Sequence, residues 1–134
     1  MISRLVEQVL AHYALDLHGT HGVGHWLRVR ENGLALAAMT PGADAMVVEL
    51  FALLHDCRRR DEGADRGHGE RAAGYAWSLA RNGALRLDPA RLDLLAAACA
   101  GHEHGGVSGD PTIRGCWGAD RLELSRPSRP PGAR

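Results

Sequence analysis

The sequence predicts an all-α fold, a compact bundle of about six helices, on three observations. Apolar residues recur at three- and four-residue intervals over most of the 134 positions. Aromatic residues are only 4% of a chain that is 45% hydrophobic, so the core must come from Leu, Ala and Val, which favour helices over strands. Two Asp-Pro pairs, Asp88-Pro89 and Asp110-Pro111, each stand just before an apolar stripe. The Asp carboxylate accepts the free amide protons of a first helical turn, and proline fits that turn because an N–H there has no partner within the helix.

Each element follows from its own pattern. Ile2, Leu5, Val6, Val9, Leu10 and Tyr13 form the first stripe, and a Gly- and His-bearing loop occupies residues 17–24. A second helix is expected over about 25–39, where Thr40-Pro41-Gly42 breaks it. Met46, Val47, Leu50, Phe51 and Leu54 mark a third helix ending near His55-Asp56. Residues 58–67 carry no apolar side chain except Ala64. That stretch is too polar for a core and too long for a simple turn, and reads as a solvent-exposed segment or a lid over a site. Ala72, Ala73, Ala76, Leu79 and Ala80 define the fourth helix; Leu92, Leu95, Ala96 and Cys99 the fifth; Ile113, Cys116 and Trp117 the sixth. One domain is expected over 1–124, followed by a Pro- and Arg-rich tail, 125–134, expected to be disordered.

Charge and cysteine usage narrow the function classes. Basic and acidic residues both number 16, so the formal net charge is zero and gives no electrostatic reason for nonspecific nucleic-acid or membrane binding. All the basic residues are Arg. Cys57, Cys99 and Cys116 are odd in number and widely spaced, which argues against a disulfide framework or zinc ribbon and for reduced thiols in a cytoplasmic protein. The N-terminal stretch is interrupted by charge and reads as helix rather than signal peptide, and no stretch is long and apolar enough to cross a bilayer.

The polar residues that share an apolar face carry the chemical information. His55 lies four residues after Phe51, and Asp56 follows it. His68 precedes Ala72 by four, His102 follows Cys99 by three, Asp120 follows Cys116 by four, and His25 precedes Val29 by four. Each thus projects from a core-facing stripe, where an unpaired polar group is costly. One such histidine is an ordinary core residue bonded to a carbonyl. Four or five on different helices share a solution in a common cation, since imidazole and carboxylate are ordinary ligands for Mn, Fe, Co, Ni, Zn or Mg.

The segments His25-Trp26-Leu27-Arg28-Val29, His55-Asp56 and Ala119-Asp120-Arg121-Leu122 resemble the ordered H…HD…D signature of HD-domain phosphohydrolases. The resemblance covers roughly residues 20–124. It extends to Asp65-x-x-His68-Gly69 and Asp110-Pro111-Thr112-Ile113, which are similar to a bacterial subgroup of small HD proteins. It implies an HD-domain bundle in which His25, His55, Asp56 and Asp120 bind a divalent metal. The implied activity is hydrolysis of a nucleotide or other small phosphate ester by a metal-activated water. Glu62 and Asp65, in the polar loop, are the expected proton-handling residues, and Arg28 and Arg121 the expected phosphate contacts. His68 and His102, with His104 in reserve, are expected either to hold a second metal with Asp56 bridging or to serve as acid, base or phosphate contact. His12, His18 and His21 fall outside the pattern and are expected on the surface or in loops.

Two features depart from similar sequences. Gly118 stands where an outer Asp is common, and the tail differs from the usual further segment. A noncatalytic metal- or nucleotide-binding module is therefore kept beside the hydrolase, as is an HD-type di-iron oxygenase, which needs two metals.

Overall fold

The computed structural model describes residues 1–104 and 106–125. The expected disorder of the tail falls, from position 126 onward, outside the described residues. The helices are α1 (Ile2–His12), α2 (Val23–Ala38), α3 (Ala45–Leu54), α4 (His68–Arg81), α5 (Pro89–Gly101) and α6 (Pro111–Leu124). A single 3₁₀ turn, His102–His104, continues α5. No strand occurs among the described residues, so the all-helical expectation holds.

The arrangement follows from which faces are apolar. Among the ten residues of α3 only Glu49 is charged, and six side chains of that helix are buried. A helix apolar on nearly every side belongs in the centre, and α3 touches α1, α2, α5 and α6. Phe51, Leu50 and Leu54 are fully buried there, against Leu5 and Val9 of α1, Val29 of α2 and Leu95 of α5 in one continuous core. The most extensive helix pairs are α4 with α5, α2 with α6, and α2 with α3. Gly33 permits one of these approaches, because a Cβ there would lie 2.5 Å from Val48 Cγ1.

Helix starts are set by capping carboxylates. Asp88 accepts from Arg91 N at 2.9 Å, and Asp110 accepts from Thr112 N and Ile113 N at 2.8 and 3.1 Å, as the Asp-Pro pairs predict. Asp44 caps α3 in the same way through Met46 N and Val47 N. Its second oxygen takes Arg91 Nε at 2.7 Å. That bond ties the start of α3 to the start of α5. Each such cap contributes about 1 kcal/mol.

The charged segment 58–67 is largely exposed, as expected, but not uniformly so. Asp65 takes a positive φ of 38°, and its carboxylate accepts from Arg60 N at 2.5 Å, Asp61 N at 3.2 Å and Arg71 Nη2 at 2.5 Å. The loop therefore curls back on itself and buries Arg59. Gly67, in the left-handed region at φ 84°, then starts α4 at His68. The next residue, Gly69, lets α4 meet the end of α5, since a Cβ there would stand 2.5 Å from the Cys99 carbonyl oxygen.

No helix among the described residues is long and apolar enough to cross a membrane.

Candidate metal centre

Helix ends deliver the polar side chains to one place. His25 stands in the first turn of α2, His55 caps the C-terminus of α3 with Asp56 next to it, and Asp120 lies in α6. His68 opens α4, and His102 caps the C-terminus of α5. His25, His55, Asp56, His68 and Asp120 are all buried.

Four of these atoms form a compact polyhedron. His25 Nε2 is 3.1 Å from His55 Nε2, 3.2 Å from Asp56 Oδ2 and 3.1 Å from Asp120 Oδ1. His55 Nε2 is 3.2 Å from Asp56 Oδ2 and 3.3 Å from Asp120 Oδ1. Ligands about 2.1 Å from a shared ion lie about 3.0 Å apart at right angles and about 3.4 Å apart at the tetrahedral angle. The observed edges fall in that interval. Asp120 Oδ1 is buried and accepts no hydrogen bond, an arrangement that is costly unless a cation is its partner. The donor set therefore fits a divalent metal ion, and two imidazoles with two carboxylates favour Mn, Fe, Co, Ni or Zn over Mg, which prefers oxygen.

The histidines are pre-oriented for this. His55 Nδ1 lies 3.0 Å from Phe51 O and 3.1 Å from Ala52 O. A carbonyl only accepts, so Nδ1 must carry a proton and Nε2 is the nitrogen turned inward, free to coordinate once its own proton leaves. His102 Nδ1 meets Cys99 O at 2.7 Å. His68 Nδ1 meets Asp65 O at 2.9 Å and Glu103 Oε2 at 3.0 Å. The accepting carbonyls of α3 and α5 belong to last turns, and Phe51 O also takes the backbone N–H of His55 at 2.9 Å. The Phe51 ring stacks on His55 at 4.7 Å and fixes its plane.

A second set faces the other oxygen of Asp56. Asp56 Oδ1 is 3.2 Å from His68 Nε2 and 3.4 Å from His102 Nε2, and those two nitrogens are 2.9 Å apart. This trio also has the spacing of metal ligands. Arg59 joins it, with Nε donating to Asp56 Oδ1 at 3.1 Å. Its Nη1 donates to Gly63 O at 3.0 Å, and Nη2 lies 3.4 Å from His68 Nε2.

The electrostatics favour positive charge at the centre. Burial opposes charge on His55, yet Asp56 and Asp120 push its pKa up to about 10. His25 is raised against the same burial by Asp120 and Asp56. Burial would raise Asp56, but His55, with His102, His21 and His25, holds its carboxyl well below the usual range. Asp120 is likewise lowered, against burial, by His25 and His55. Without an ion, protons on the imidazoles balance the carboxylates; binding a metal displaces them.

The structure brings His25, His55, Asp56, Asp120, His68 and His102 together, but not Glu62, Asp65 or Arg28. Glu62 is exposed, with its carboxylate against Gly19. The Asp65 carboxylate holds the loop through Arg60, Asp61 and Arg71, and only its carbonyl serves the cluster. Neither of the two acids lines the cavity beside Asp56. Arg28 donates to Glu123 Oε1 at 2.5 Å and does not line that cavity either. Arg121 does line it, as does His104. Position 118 faces α2, where a Cβ would meet Leu36 Cδ1 at 3.4 Å.

Four residues escaped the sequence reading. His21 lies in the loop before α2, as expected, but is buried there, with Nδ1 3.4 Å from Asp56 Oδ2; its four-residue spacing from His25 was the available signal. Glu123, one turn after Asp120, lies 3.8 Å from His25 Nδ1. Glu103 and Arg59 complete the surroundings of His68. His12 and His18 are exposed, as expected.

The cavity over the centre has a volume of about 800 Å³, within the roughly 300–1,000 Å³ of small-molecule sites. Asp56, Asp120, His68 and His102 form part of its wall, and Arg59, Arg66 and Arg121 contribute cations. No family model, curated protein or solved structure matches the chain.

Proposed function

We propose that this chain is an HD-type, metal-dependent phosphohydrolase that cleaves a nucleotide or other small phosphate ester. The supporting observation is the buried polyhedron of His25, His55, Asp56 and Asp120, with edges of 3.1–3.3 Å, opening onto a cavity that also carries three arginines. A divalent ion held there would acidify a water and polarise a phosphoryl oxygen.

The chain's own residues supply the rest. Arg66 and Arg121 offer N–H donors to phosphate oxygens from the cavity wall. His68 and His102 both direct Nδ1 at oxygen acceptors and bring their Nε2 atoms to 2.9 Å, so one shared proton relieves the facing lone pairs. That proton, beside the cavity, is placed to pass to the leaving-group oxygen as the ester bond breaks. Burial of His25 and His55 keeps bulk water from competing for the ion.

The test is turnover by protein loaded separately with Mn, Fe, Co, Ni or Zn. The panel would include bis(p-nitrophenyl) phosphate, p-nitrophenyl phosphate and nucleoside mono-, di- and triphosphates. Metal-dependent release of phosphate or nitrophenol, reduced to background in His55→Ala, is the expected result. A protein that binds metal and turns over none of these is a binding module instead.

A further inference from the structure

We propose that the Arg59 guanidinium takes the place of a second metal ion at Asp56 Oδ1, so that the protein binds one divalent ion per chain. This rests on the reading of His25, His55, Asp56 and Asp120 as a metal centre.

Asp56 Oδ1, His68 Nε2 and His102 Nε2 have edges of 2.9–3.4 Å and by spacing alone would suit an ion. The difference from the first set lies in what already faces them. Arg59 is 8% exposed, and its guanidinium reaches two of the three donor atoms, Asp56 Oδ1 at 3.1 Å and His68 Nε2 at 3.4 Å. Gly63 O holds Nη1 from behind at 3.0 Å, and Asp61 O lies 3.5 Å from it. That hold is itself fixed by the Asp65 carboxylate, which folds the loop. Arg59 is thus seated by the backbone on one side and by the trio on the other.

Arginine cannot release its charge at any ordinary pH. A dication among the same donors would sit within a few ångströms of a buried guanidinium, and repulsion at that distance in a poorly solvated site is severe. It would also compete for the one lone-pair region of Asp56 Oδ1 that Arg59 Nε occupies. Among the described residues the first set has no such resident: His25 and His55 face Asp56 Oδ2, and the nearby Arg28 is committed to Glu123.

The experiment is metal stoichiometry. Purified wild-type, Arg59→Gln, Arg59→Met and Arg59→Gln/His68→Ala proteins would be titrated with Mn²⁺ by calorimetry. Bound metal would be counted by elemental analysis after gel filtration, and paramagnetic resonance would detect spin-coupled manganese pairs. The expected counts are one ion in wild type, two with a coupled signal in Arg59→Gln or Arg59→Met, and one again in the double variant. The first ion should bind the Arg59 variants no more weakly than wild type, because a neighbouring positive charge is gone. Two ions in wild type overturn the proposal, as does a single ion in whichever Arg59 variant folds. No ion in any of the proteins is a different failure, because it removes the metal centre itself.

Discussion

The two oxygens of Asp56 look onto two halves of one site, built from the same residue types but opposite in electrostatic completeness. On the Oδ2 side stand His25, His55, Asp120 and His21, with two carboxylates and, among the described residues, no guanidinium in contact. On the Oδ1 side stand His68, His102 and Arg59. The first half has Asp120 Oδ1 buried without a hydrogen bond; the second brings its own cation. Ligand spacing is nearly the same in both, so spacing alone does not define an ion site. The charge already present decides whether an ion is needed.

The harshest way to break the comparison is Asp56→Ala, which removes the residue both halves share. Metal binding should vanish, and Arg59 would be buried without its carboxylate, a loss of about 3–5 kcal/mol in urea unfolding of the metal-free protein. A loss below about 1 kcal/mol would show that Arg59 does not depend on Asp56. Next comes the contrast between His25→Ala and His102→Ala. The first should abolish metal binding; the second should keep the ion while lowering kcat by about 10²–10⁴, the usual worth of a general acid. If both lose the ion equally, the halves are one site. The mildest change is Asp65→Asn, which keeps an acceptor but gives up the charge that binds Arg71, at a cost of about 1 kcal/mol near neutral pH. Burial opposes charge on Asp65, but bonds from Arg60, Arg71 and Asp61 lower its pKa to about 2. Its contribution is therefore complete above the unfolded value of about 4 and fades as pH falls toward about 2. The stability difference between wild type and variant should shrink over that window and close below it, and a gap that stays undiminished at pH 2 would contradict this role.

The helices were readable because each is decided locally. The Asp-Pro starts and the apolar stripes needed no knowledge of neighbours, and His55, Asp56 and Asp120 could be placed on inward faces by counting turns from Phe51 and Cys116. Glu123 was equally countable from Asp120, but nothing in its own stripe distinguished it from a surface acid. Arg59 was not readable. In sequence it sits within Arg58-Arg59-Arg60, three identical side chains, and only the curl imposed by Asp65 selects which one is buried. The same holds for Glu62 and Asp65: a polar loop beside a site does not reveal which carboxylates point inward. Asp44 went unnoticed as a cap because no proline follows it.

The ring orientations of His55 and His102 are keyed to main-chain carbonyls at the close of α3 and α5. No substitution can delete a carbonyl. The coordinating posture of these two imidazoles is therefore a property of how a helix stops, available wherever a histidine follows the final turn. Drift of surrounding side chains could change what the pocket accepts and leave the grip on its contents untouched.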